Sequence, residues 1–271
     1  MSVPLILLME DQEMSGTLML QDESFSRFPH IPAPRGVQLT TLPSHACPYL
    51  PGREAITRAV AARVIDPDIY HEFMNAGFRR SGTMLYQPVC VGCRECRQLR
   101  VPTTTFAPTK SQRRSIRRNA DVIVQVGDPI ATDEKFDLYA KYCARWHKHA
   151  EPETREGFER FLYQSPVESI EFTYRVGDRL MAVGICDLCE QSLSSVYFYF
   201  DPDEAGRSLG TFGVLCEIDF ARKHSIPHWY AGFWIRDCPA MSYKANFGPA
   251  EVLGMDGAWR PLPGNAETPL S

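Results

Sequence analysis

The sequence predicts an α+β fold, and three observations carry that prediction. Residues 170–174, 180–188 and 193–200 alternate as three successive strands, the first two joined by a Gly177-Asp178 turn. Residues 133–147 repeat apolar side chains at helical spacing (Phe136, Tyr139, Tyr142, Cys143, Trp146), with Thr132 placed to cap and Asp133 and Glu134 suited to the first turn. After Asp201-Pro202, a loop holding Gly206 and Gly210 opens a helix over 211–224. A strand over 228–232, a helix over 239–247 and a strand over 250–253 follow. A further helix spans 155–164, capped by Thr154, with Phe158, Phe161 and Leu162 inward. Three meandering strands, a glycine loop opening a helix, then β-α-β is the order of an N-acyltransferase core.

The first half reads as a smaller unit. A helix over 67–76 ends at Gly77 in a C′ position, and a strand over 83–89 leads into a cysteine loop. Residues 97–101 alternate weakly and are expected to pair with that strand. The expected organisation is a loose lead-in over 1–36, a basic, cysteine-containing α+β domain over 37–126, an acyltransferase-like domain over 127–260 and a tail over 261–271.

At 271 residues, 44% hydrophobic and 23% charged, the chain has material for a sizeable core. No apolar run approaches the roughly 18 residues of a membrane span. The short apolar stretch after Ser2 lacks a basic flank and runs into Glu10, Asp11 and Glu13, so it reads as neither anchor nor signal peptide. Nine cysteines, an odd number, then point to a reducing compartment, and the chain reads as cytoplasmic.

Charge is concentrated. Between Arg79 and Arg118 stand ten Arg or Lys against the single acid Glu95, a net +9 in a chain of −4 overall. A polyanionic partner is the first explanation to test. Arg113, Arg114, Arg117 and Arg118 share one flank if 111–119 is helical, and a guanidinium fork suits phosphate oxygens. A solvated face is the alternative.

Cys90-x-x-Cys93-x-x-Cys96 offers three thiolates at the spacing of a soft-metal site, with Cys47 or His45 as a fourth ligand. Zinc and an iron–sulfur cluster both suit this set, and buried free thiols are the alternative. Cys186, Cys189, Cys216 and Cys238 fall in regular elements and are expected in the core. Lys244, flanked at helical spacing by Met241 and Phe247, either reaches water or anchors an anionic group.

Taken in order, Cys47-Pro-Tyr-Leu, Ala76-Gly-Phe-Arg-Arg-Ser-Gly82, Tyr86-x-Pro-x-Cys-x-x-Cys-x-x-Cys96, Ser111-Gln-Arg-Arg114, Ser194-Ser-Val-Tyr197, Asp201-Pro202, Ser208-Leu-Gly210, Gly232-x-Trp-Ile235 and Met241-x-Tyr-Lys-x-x-Phe247-x-Pro249 resemble the arginyl-tRNA–protein transferase family. The likeness is greatest to its bacterial leucyltransferase branch. It implies an acetyltransferase-like (GNAT-type) C-terminal domain and transfer of leucine from leucyl-tRNA to the α-amine of proteins beginning with Asp or Glu, marking them for degradation. It also implies that no coenzyme A or other cofactor is required. On this reading Arg79, Arg80 and Lys244 are expected to bind the acceptor's acidic side chain, and Tyr197 and Asp201 to orient its amine. Leu209 and Gly210 are expected to supply backbone donors near the ester, and Arg113, Arg114, Arg117 and Arg118 to hold the tRNA. Three alternatives cover part of the sequence: an arginyl-tRNA donor, an acetyl-CoA-dependent N-acetyltransferase, and a non-catalytic RNA- or metal-binding module.

Overall fold

The structure is a computed structural model that describes residues 31–146 and 153–262. Most of the 1–36 lead-in, His147 at the end of one predicted helix, and most of the 261–271 tail lie outside the described residues.

The chain begins with short strands β1 (Thr40–Thr41), β2 (His45–Ala46), β3 (Glu54–Ala55) and β4 (Thr57–Ala61). Helix α1 (Pro67–Asn75) follows, started by Asp66, whose carboxylate accepts the backbone N–H groups of Asp68 and Ile69. It stops at Gly77, whose φ of +84° a side chain would resist. Then come β5 (Arg79–Ser81), β6 (Met84–Pro88) and β7 (Arg97–Pro102). Helix α2 (Lys110–Arg118) has a capping box in which Thr109 and Gln112 each satisfy the other's backbone N–H. Strand β8 (Ile123–Gly127), helix α3 (Asp133–Trp146) and helix α4 (Arg155–Phe158), which widens into a π turn, lead to the meander β9 (Ser169–Val176), β10 (Arg179–Cys189) and β11 (Ser192–Phe200). Helix α5 (Leu209–Lys223), β12 (His228–Trp234), α6 (Pro239–Ser242), β13 (Glu251–Leu253) and β14 (Trp259–Pro261) complete the described chain.

Two main sheets result. The smaller has the order β1-β4-β6-β5, and the larger has β14-β13-β7-β12-β11-β10-β9-β8. Strand β7 therefore does not pair with β6 as expected. It lies antiparallel between β12 and β13, with Leu99 and Val101 fully buried there. The large sheet thus crosses the sequence boundary at 126/127. Burial explains this: Leu99 and Val101 join the core cluster under α5, which offers far more apolar surface than the cysteine loop. On one face, α5 contributes Leu209, Phe212, Leu215 and Ile218 to that core. On the other, α3 and α4 pack Tyr139, Tyr142, Phe158 and Phe161 against β10 and β11.

The two sheets are tied by an ion pair between side chains with no solvent exposure. Arg80 of β5 donates Nε to Asp187 Oδ2 and Nη2 to Asp187 Oδ1 of β10, each at 2.8 Å. Tyr70 Oη and Ser169 Oγ also donate to Asp187, at 2.6 and 2.7 Å, so elements from both halves meet on one carboxylate. Such a pair is costly to break because the surviving charge is left in a dry site. Asp187→Ala is expected to lose about 3–5 kcal/mol of stability, while the pair replacement Arg80→Met with Asp187→Leu recovers most of it. Urea unfolding checks both; a single-mutant loss below about 1 kcal/mol would contradict the tie.

Candidate active site

Strands β11 and β12 run parallel but pair only through Ser192–Ser194 and His228–Tyr230. Beyond Ser194 and Tyr230 they part, although β11 continues to Phe200 and β12 to Trp234. Two irregularities fall at the fork. Val196 is the extra residue where β10 pairs with β11, and a bulge beside Gly232 interrupts β12 against β7. A pocket fills the fork, walled by Ser195, Tyr197 and Phe198 on one side and Ala231, Gly232 and Phe233 on the other. Among its remaining walls are Tyr49, Arg79, Tyr86, Met241, Tyr243, Lys244, Gly210, Val214 and Glu217.

Arg79 sits in the fork. Its Nη1 donates to Ser194 Oγ at 2.7 Å and its Nη2 to the Ser195 carbonyl. Gly232 has φ of +79°, and a Cβ there would stand 3.1 Å from the Arg79 guanidinium carbon, so glycine is needed both for the turn and for the close approach. Among the described residues these are two bonds for five guanidinium N–H donors, which leaves capacity for a ligand. Lys244 shares the pocket and donates to the Phe233 carbonyl at 2.8 Å. Burial, then repulsion by Arg79, lowers its pKa from the usual lysine range to about 7. Glu217 lines the same pocket, fully buried, and burial raises its carboxyl to about 7.

The structure separates the expected residues. Arg79 and Lys244 come together in the pocket. Arg80 does not: its guanidinium is saturated by Asp187 and by the carbonyls of Gly82 and Gln164, so the expectation that it binds substrate is corrected. Adjacent arginines in one short strand have different fates because Asp187 and Ser194 face each other across β10 and β11, and β5 offers one arginine to each. Asp201 is likewise outside the pocket. It pairs with Lys141 and Arg179 and accepts Asp203 N–H at 3.0 Å, which makes it a cap and ion-pair residue. Tyr197 lines the pocket while its ring packs edge-on against Tyr139, Tyr142 and Phe161; burial raises its hydroxyl well above the usual range, so it stays protonated. The Leu209 side chain is in the core, whereas Gly210 lines the pocket.

Helix α5 starts without a side-chain cap, from Ser208 at φ of +57°. Its first N–H groups and its dipole are therefore open to an anion or a carbonyl. Helix α2 lies against this start. Asn119 Nδ2 donates to the Arg207 carbonyl at 2.9 Å, and Arg118 Nη1 donates to the Gly206 carbonyl and Ser208 Oγ at 2.6 and 3.2 Å. Arg113, Arg114, Arg117 and Arg118 are exposed, so a basic face borders the mouth of the glycine loop.

The sulfurs of Cys47, Cys90 and Cys93 each accept an N–H, from Leu50, Ile56 and Arg53 at 3.3–3.4 Å. Burial, then the neighbouring Cys90, Cys47 and Cys93, pushes the Cys96 thiol far up, so the four sulfurs share one neighbourhood. Their donor chemistry suits a soft metal, but among the described residues no three His, Cys, Asp or Glu side chains converge closely enough to hold one. His45 faces the Pro43 carbonyl. Cys186, Cys189 and Cys238 are buried and Cys216 is half-buried, as expected for core thiols.

Ser195, Tyr49 and Tyr86 stand in motifs quoted above without a role of their own, and Glu217 stands in none of them. A signal existed for Glu217: with Gly210, Val214 and Ala221 it occupies the apolar stripe of α5, where an acid is out of place.

A forked sheet, an uncapped helix start and a cationic pocket thus lie together in this α+β fold. Residues 45–114 match the family model described as Arginine-tRNA-protein transferase, N terminus, and residues 134–254 match that for the C terminus. The chain belongs to the arginine-tRNA-protein transferase family. It is 38% identical over 217 residues to a protein of Hahella chejuensis named aspartate/glutamate leucyltransferase, covering 79% of this chain and 93% of that one. A protein of the same name from Pseudomonas savastanoi pv. phaseolicola is 39% identical over 212 residues, covering 77% and 90%. Among solved structures the chain is similar to L-PGS from Bacillus licheniformis (TM-score 0.41, 11% identity, 62% of this chain and 49% of that one) and to FemX (0.40, 8%, 68% and 64%).

The half-buried Lys244 beside the buried Arg79 makes a direct prediction. An NMR titration of the Lys244 ammonium is expected to give a midpoint near 7, rising when a carboxylate ligand binds, because the anion favours the charged lysine. A midpoint near the ordinary value of about 10.4, unmoved by ligand, would contradict the pocket described.

Proposed function

We propose that this chain transfers leucine from leucyl-tRNA to the α-amine of proteins whose first residue is Asp or Glu. The observation that carries the acceptor reading is the presence of Arg79 and Lys244 in one pocket, bonded to carbonyl and hydroxyl oxygens and to no acid among the described residues. A carboxylate entering that pocket meets two cations in a desolvated place, where charge-assisted bonds are strong. Asparagine and glutamine bring no charge to offset the cation repulsion, so selectivity follows from what is left uncompensated. The relatives named aspartate/glutamate leucyltransferase support the same donor and acceptor.

The reaction is aminolysis of an activated ester, in which positioning does most of the work. An α-amine has a pKa of about 7.7–8.0, so an appreciable fraction is neutral near pH 7.5. On this reading the open N–H groups at the start of α5, Gly210 among them, stabilise the oxyanion of the tetrahedral intermediate. The exposed arginines Arg113, Arg114, Arg117 and Arg118 hold acceptor-stem phosphates beside that helix start, which places the charged 3′ end at the fork.

The chemistry needs no cofactor. Structural zinc or an iron–sulfur cluster on Cys47, Cys90, Cys93 and Cys96 would require these sulfurs to draw closer together than they stand. No helix among the described residues is long and apolar enough to cross a membrane. A tRNA-dependent reaction places the protein in the cytoplasm on this proposal.

Transfer of radiolabelled amino acid to peptides beginning with Asp, Glu, Asn or Ala tests the function. Leucine is expected on the Asp and Glu peptides alone. Arginine transfer would replace the donor, and acetylation from acetyl-CoA with no transfer from either tRNA would overturn the reading.

A further inference from the structure

Glu217 is the feature of this pocket that the proposed function leaves unused. Its Oε2 accepts Trp229 Nε1–H at 2.8 Å. Its Oε1 is buried and, among the described residues, has no partner at hydrogen-bond geometry. The pocket-lining Ser195 and the Cys186 thiol are the donors beside the carboxyl, and the two are paired opposite each other across β10 and β11. The room for Oε1 comes from Gly184, where a Cβ would stand only 3.1 Å away. A buried carboxyl with one unsatisfied oxygen is costly, and a folded protein that keeps one has usually given it a task.

We infer that Glu217 is the proton acceptor of the transfer reaction, reached from the acceptor's α-amine through the Ser195 hydroxyl. The inference rests on the aminoacyl-transfer reading of this pocket. The two strands at the fork place the parts: Arg79, bonded to the Ser195 carbonyl, brings the acidic side chain of the acceptor next to Ser195, and its α-amine follows. In the step proposed, the amine nitrogen attacks the ester carbonyl carbon and the C–N bond forms. The nitrogen's surplus proton passes to Ser195 Oγ as the Ser195 hydroxyl proton passes to Glu217. The C–O bond to the ribose then breaks, and the proton returns along the same path to the leaving ribose oxygen. Amide and free tRNA hydroxyl result, and Glu217 is again a carboxylate.

The groups around Glu217 suit this task. Burial holds Cys186 of β10, Tyr174 of β9, Cys216 of α5 and Tyr243 after α6 all in their neutral forms. Trp229 of β12 is a donor that does not titrate, and the cations Arg79 and Lys244 lie across the same pocket. Burial is the main cause that puts the carboxyl near 7, in the range where a group both takes and returns a proton readily.

Glu217→Gln keeps the volume and the Trp229 bond but removes the proton acceptor. With leucyl-tRNA and an Asp peptide, its kcat is expected to fall at least about 100-fold with KM for the peptide little changed. The acid limb of log kcat against pH is expected to lose one of two ionisations, since the amine still titrates. Ser195→Ala is expected to lower kcat too, and the double variant to be no worse than Glu217→Gln alone, as for residues acting as a unit. A Glu217→Gln enzyme with kcat within about threefold of wild type and an unchanged pH profile would overturn the role of Glu217 while leaving the function standing. A wild-type protein inactive with every donor would overturn both.

Discussion

The parting of β11 from β12 after Ser194 and Tyr230 is the constraint on which the rest of the molecule depends. Unpaired backbone inside a sheet is costly, so a fork persists only where something satisfies the freed groups. Here Arg79 does so, bonding the Ser195 carbonyl from within the gap. Arg79 is held there by its neighbour: Arg80 is fixed on Asp187, opposite Ser194 in the adjoining strand, so β5 cannot shift without breaking a fully buried ion pair. The smaller sheet thus supplies the piece that keeps the larger sheet open. Gly232 completes the arrangement by leaving space for the guanidinium.

Charge in the pocket is arranged so that neither cation bonds an acid among the described residues. Nearby acids are engaged elsewhere: Asp187 with Arg80, Asp201 with Lys141 and Arg179, and Glu171 with Lys135. Glu217, the one acid among the described residues that line the pocket, accepts the Trp229 indole N–H. Arg79 and Lys244 consequently repel each other, which is the condition under which an incoming carboxylate gains most. The basic face of α2 works at longer range, braced against the glycine loop by Asn119 and Arg118, so that whatever it binds is fixed relative to the start of α5.

The strand meander, the long helices and the helix opened by the glycine loop were legible in the sequence because each is set by local periodicity and caps. Helix α1 runs Pro67–Asn75 against an expected 67–76, and the three meander strands differ from expectation by a residue or two at their ends. What could not be read depends on distant partners. Arg80 looked like a substrate-binding cation because its partner Asp187 lies 107 residues away, and no local pattern distinguishes it from Arg79. The same holds for β7, whose weak alternation gives no sign that both neighbours, β12 and β13, come from the end of the chain. Asp201 follows the same rule: its place after a strand suggests chemistry, but Lys141 from α3 and Arg179 from β10, 60 and 22 residues away, claim it. Glu217 carries a readable sign, an acid in an apolar stripe.

The central claim is that β5 divides its two arginines, Arg80 securing the fold and Arg79 reading the acceptor. The most direct test is the ratio of kcat/KM for peptides beginning with Asp and with Asn, measured on wild type and on Arg79→Gln. Taking both peptides on the same protein cancels any loss of folded enzyme. The account predicts that the Asp preference falls at least about 30-fold in the variant, the lower end for removing one partner of a buried charge pair. An Asp preference that survives undiminished would contradict it and move acceptor recognition out of the fork.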